Sequence, residues 1–135
     1  MQIPLFKPQT EWLPPENFPD LSKYDEIAID LETKDPDLMK MGSGSVVGKG
    51  DVVGIAVAVK GWSGYYPIAH EGGGNMSRAK VLKWFQGVLD TPADKIFHNA
   101  MYDVCWIKAL SLSVSGRIVD TMIASALVDE NQMRY

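Results

Sequence analysis

The sequence predicts an α/β domain, a mixed sheet in the order β-β-β-α-β-α-β-α with helices on both faces. Three observations carry that prediction. Glu26–Glu32 alternates apolar and polar residues with period two, as a half-covered strand does. Val52–Val59 is a nearly unbroken apolar run, as expected of a central strand covered on both faces. From Ser77 onward helical periods and short apolar runs take turns, and three closely connected strands followed by such alternation give a mixed sheet.

Each element follows from local chemistry. Pro4, Pro8, Pro14, Pro15 and Pro19 prevent regular structure in residues 1–23, which read as an extended arm. Leu5, Phe6, Trp12, Leu13 and Phe18 make that arm too apolar for a free tail and predict that it packs along a folded surface. In the first strand Ile27, Ile29 and Leu31 share one face, and Ala28, Asp30 and Glu32 the other. Residues 33–50 read as a loop, and Val52–Val59 as the second strand. Trp62-Ser63-Gly64 is expected to turn the chain into a third strand, Tyr65–Ala69, followed by the flexible Gly72-Gly73-Gly74-Asn75. Val81, Leu82, Phe85, Val88 and Leu89 define one side of a helix that Thr91-Pro92 closes. Lys95–His98 reads as a strand, Ala100–Leu112 as a helix and Ile118-Val119 as a strand. Asp120 then caps a last helix running through Leu127.

Composition narrows the function. The 135 residues are 46% hydrophobic and 22% charged, which excludes disorder, collagen-like repeats and coiled coil and leaves room for one domain. The formal net charge is −4, with basic residues scattered, so a basic face is not what would grip a nucleic acid. Metal ions or another segment would have to supply part of the positive charge. A single cysteine, Cys105, excludes an internal disulfide and a cysteine-based zinc site. No apolar stretch reaches the ~18 residues of a membrane span, and Met1-Gln2-Ile3-Pro4 is not a signal peptide. The expectation is a soluble, cytoplasmic protein with no membrane partner. Gly42–Gly50 looks phosphate-binding, but Ser43 stands where a P-loop needs glycine and Gly50 where it needs Ser or Thr. It reads as a surface loop, and His70 as a polar loop residue.

The carboxylates are more informative. Asp30 and Glu32 lie on one face of a strand, about 6.6 Å apart along the backbone. Two readings stay open for them: neutralisation by a divalent cation, or plain solvation at an exposed strand end. Asp103 falls in the first turn of an apolar helix, where the dipole alone can account for an acid and where Asn99 can serve as the cap.

Together, Asp30-Leu31-Glu32-Thr33 and the downstream His98-Asn99-Ala100-Met101-Tyr102-Asp103 form a recognisable pairing. The chain resembles the 3′–5′ proofreading exonuclease domain of the DnaQ-like, four-carboxylate superfamily, as carried by bacteriophage-type family A DNA polymerases. Trp12-Leu13-Pro14-Pro15, Val53–Ala58 and Asp120-Thr121-Met122-Ile123-Ala124 extend the likeness across most of the chain. The resemblance implies a ribonuclease H-like fold and two divalent cations, Mg²⁺ or Mn²⁺. It implies that Asp30 bridges both ions, Glu32 holds the ion that activates the attacking water, and Asp103 helps hold the second. Thr33, His98 and Asn99 would touch the strand, Tyr102 would belong to the core, and Asp120 would be structural. The implied partners are a single-stranded DNA 3′ end and the polymerase domain of a longer chain, in a bacterial host cell if the chain is phage-encoded. An RNA or repair exonuclease, or a non-catalytic single-strand-binding domain, are the alternatives. The family's third motif, Tyr-x-x-x-Asp or His-x-x-x-Asp, is not found. Residues 129–135 read as a connection, Tyr135 is not that tyrosine, and the isolated chain is expected to be weakly active or inactive.

Overall fold

A computed structural model describes residues 13–129. Leu5, Phe6, Trp12 and Tyr135 lie outside the described residues. Five strands form one sheet in the order β3-β2-β1-β4-β5. The strands are β1 (Glu26–Lys34), β2 (Asp51–Val59), β3 (Trp62–Pro67), β4 (Asp94–Phe97) and β5 (Ile118–Asp120). β1, β2 and β3 form an antiparallel meander, while β4 and β5 run parallel to β1. The helices are α1 (Leu38–Met41), α2 (Gly44–Val47), α3 (Arg78–Asp90), α4 (Ala100–Ala109) and α5 (Thr121–Val128). This is the mixed α/β sheet the sequence predicts.

One face of the sheet carries the core. Ile27, Ile29, Leu31, Ile55, Val57 and Phe97 pack against Val81, Phe85 and Leu89 of α3 and Trp106 and Ile107 of α4. Full burial of an aliphatic side chain of this size stabilises by roughly 1.5–3 kcal/mol. The other face is paved with small side chains: Ala28, Ala56, Ala58 and Ser63 line an open hollow with Asp30, Tyr65, His98 and Thr121, the first residue of α5. β2 is therefore not covered equally on both faces. Val52, Ile55 and Val57 are buried, and the alanines between them only half so.

Several boundaries differ from the sequence expectation. Trp62-Ser63-Gly64 is strand rather than turn. Val59 pairs with Trp62, so the turn is the two residues Lys60-Gly61, and Gly61 supplies the positive φ of +86°. The expected loop 33–50 begins as the end of β1 and then holds two single-turn helices. α4 stops at Ala109 rather than Leu112, because Ser111 at φ +63° reverses the chain. Ser77 caps α3 by accepting from the Lys80 amide.

Two features anchor the periphery. Phe18 stacks on Tyr66 at 5.6 Å between centroids, while the indole of Trp84 donates to the Pro19 carbonyl at 2.9 Å. Lys95 is fully buried, and its ammonium donates to the carbonyls of Thr91, Ala93 and Ser115 at 2.6, 2.9 and 2.7 Å. Burial lowers its pKa, and the carboxylates of Asp90 and Asp94 oppose that shift.

Candidate active site

The site forms where β1 runs on past its short partner β4. Pairing between them covers only Glu26–Ala28, so the end of β1 that bears the acids is flanked by the turn from β4 into α4. Strand alternation puts Asp30 and Glu32 on the face opposite Ile29 and Leu31, and both are exposed. Solvation, not burial, therefore relieves much of their mutual repulsion. Asp103, one turn into α4, is only 3% exposed.

Asp103 is the electrostatic centre of the group. Burial first, then the charge of Asp30, pushes its carboxyl up to about 7; Glu32 and Asp120 add to this, and the Leu31 amide opposes it. Its Oδ2 is buried without a hydrogen-bond partner. A buried acid in a cluster of acids, with an oxygen unspent, suits a hard cation, which takes oxygen ligands. The donor chemistry thus fits a divalent ion. The geometry is not that of a ready-made chelate: among the described residues no three Asp, Glu, His or Cys side chains stand close enough to hold one ion.

The turn into α4 is built differently from the sequence expectation. Asn99 adopts φ +68°, ψ +65°, and its side chain caps nothing. The Asp120 carboxylate does the capping instead, accepting from the amides of Asn99 at 3.1 Å and Ala100 at 2.9 Å. The same carboxylate caps α5 through the Met122 amide at 3.0 Å. Although burial pushes Asp120 up, these amides more than offset it and hold its pKa below the usual carboxylate range. One acid starts two helices, and through α4 it fixes the height of Asp103.

The remaining predicted residues lie around the acids. His98 is exposed, with Nδ1 3.0 Å from the Thr121 hydroxyl, and it shares the small-residue hollow with Asp30. Thr33 is tied to the Tyr102 hydroxyl at 2.8 Å. Tyr102 packs against the core and also donates to Asp35 at 3.0 Å, while both Asp35 oxygens accept from the Gly44 amide. This chain of bonds fastens the α1–α2 segment to α4. Gly44 is required there, since a Cβ would stand 1.9 Å from the Lys49 carbonyl oxygen.

The sequence did not reveal a further pair. The Tyr65 hydroxyl lies 2.5 Å from Nε2 of His70, a residue expected only to be a polar loop group. Burial raises the Tyr65 pKa, and the charge of Glu32 adds to that. The pairing was not legible, because it depends on a strand register that places Tyr65 level with Asp30 and Gly54 level with Glu32.

No protein-family model matches the chain. A DNA-directed DNA polymerase of Pseudomonas phage M6 is 36% identical over 110 residues, which is 77% of this chain and 17% of the polymerase. The chain thus spans about a sixth of the length of that relative. Among solved structures, Brucella melitensis NrnC is 20% identical, with a TM-score of 0.55 over 85% of this chain and 50% of its own. A protein solved as the apo form of a nuclease is 23% identical, with a TM-score of 0.56 over 84% of this chain and 47% of its own. The class the fold defines is a ribonuclease H-like α/β domain, shared with both of these solved proteins. More particularly, the chain belongs to the family of phage DNA polymerases.

Proposed function

We propose that this domain is a divalent-metal-dependent 3′–5′ exonuclease that removes nucleotides from single-stranded DNA ends beside a polymerase domain. The observation that carries the reading is Asp103, a buried carboxylate with a spare oxygen, electrostatically coupled to Asp30 and Glu32. Asp30 and Asp103 would hold one ion, and Asp30 and Glu32 the other. Two such ions, Mg²⁺ or Mn²⁺, supply an activated water and stabilise the charge that develops on the phosphate oxygens. Brucella melitensis NrnC, which shares the fold, has been solved with bound Mg²⁺, which supports divalent-metal use here.

The protein's own contribution is positioning. β1 holds Asp30 and Glu32 at a fixed spacing on one face, and α4, set by Asp120, brings the third carboxylate to them. Exposure of the two strand acids leaves the site open to a polymeric substrate. His98 and Asn99, exposed at the turn, together with Thr33, would touch the strand end. The test is nucleotide release from a 3′-labelled single-stranded DNA oligomer, with RNA of the same sequence as a comparison. At most weak release in Mn²⁺ is expected from this chain alone, lost in chelator and in Asp30→Asn. Release that survives either change overturns the assignment, and preference for RNA overturns the substrate.

A further inference from the structure

We propose that Tyr65, held in place by His70, is a positioning residue for Glu32, an inference that rests on the proposed metal-dependent function. The sheet register is the starting point. Asp30, Ala56 and Tyr65 stand in one row across β1, β2 and β3, and Glu32, Gly54 and Pro67 in the next. Cross-strand neighbours on one face lie within ~5.5 Å of each other. A tyrosine in the first row therefore leans over the second only where the second row has no side chain in its way. Gly54 provides that gap. A Cβ there would stand 1.9 Å from the Tyr65 hydroxyl oxygen and 2.3 Å from Cζ, so the end of the ring lies directly across the residue paired with Glu32.

The hydroxyl is fixed from its far side. His70 Nε2 meets it at 2.5 Å, and the two rings sit edge to face at 5.8 Å. His70 is in turn braced by Asn75, which accepts from its amide and donates to its carbonyl, both at 2.8 Å. Glu71, the next residue, is ion-paired with Lys34, two positions after Glu32. The turn after β3 is thus tied to the acid-bearing end of β1 through Lys34 and to β3 through Tyr65.

The chemistry follows from this arrangement. With the proton on Nε2, the imidazole donates to the phenol oxygen, and the phenol proton can be given to the Glu32 carboxylate. A carboxylate on an exposed strand samples many rotamers, and one oriented by a fixed donor samples few. Groups that orient a metal ligand in this way alter affinity or activity about 10–100-fold when removed.

The probe is Mn²⁺ alone, titrated into the full chain by calorimetry, with melting temperature in chelator as the control. Tyr65→Phe keeps the ring over Gly54 and removes only the hydroxyl. It should weaken Mn²⁺ binding about 10-fold while leaving melting nearly unchanged. His70→Ala should do the same, and His70→Gln, which keeps a donor, should recover part of the loss. If Tyr65→Phe binds Mn²⁺ as tightly as the parent while Asp30→Asn does not bind, the positioning role is wrong and the metal site stands. If the parent fails to bind Mn²⁺, or Asp30→Asn binds it equally well, the functional reading itself falls.

Discussion

Asp103 makes the folded chain's stability depend on pH in an unusual direction. Its carboxyl titrates near 7 in the folded protein and near 4 in an unfolded one, so folding favours the protonated form. The contribution is complete below about pH 4 and is lost as pH rises through about 7, the reverse of a salt-bridged aspartate. Without metal, Asp103→Asn should therefore be more stable than the parent at pH 8, by about 2–4 kcal/mol in urea unfolding. Mn²⁺ should shrink or reverse that difference, because the cation takes up the charge the asparagine lacks. The pairing of two short motifs singled out all three acids as candidates. It did not separate the buried one from the two exposed ones, because that depends on where α4 crosses the free length of β1.

Among the elements, the start of α4 depends most on a distant residue. A cap usually lies next to the helix it serves, and Asp120 does so for α5, which is why that role was legible. Its bonds to Asn99 and Ala100 arise only because β5 pairs beside β4, a tertiary fact that local sequence does not encode. Asn99 carried the sequence pattern of a cap but turns into the left-handed region, which places its side chain out of reach of its own helix. Asp120→Ala removes acceptors from two helices at once. It should cost about 2 kcal/mol in thermal or urea unfolding, the upper end for a single cap. A loss confined to α5 would leave hydrogen exchange at Asn99 and Ala100 unchanged, and faster exchange at both is expected.

At the scale of the molecule, the order of elements was legible because period two and the helical period differ clearly in this chain. Turn positions were less so: Gly61 and Gly64 are equally plausible breakers by composition, and only strand pairing decides for Gly61. Lys95 was invisible, since a lysine inside a strand reads as a solvated one. Its three carbonyl partners tie the α3–β4 turn to the approach to β5. Lys95→Met leaves three carbonyls without a donor and should cost about 1–3 kcal/mol, read from the urea midpoint at constant m-value. The strand order also gives the molecule a history. β1 meets β2 as soon as β2 is synthesised, and β3 then adds to β2, but the other edge of β1 waits for β4, which leaves the ribosome only after α3. Throughout that interval the nascent meander carries an open edge of the kind that recruits other chains. Asp30 and Glu32 stand on that same strand, and two half-made copies brought together there would set like charges against each other. Like charge on an open edge strand disfavours such pairing until β4 arrives to cover it.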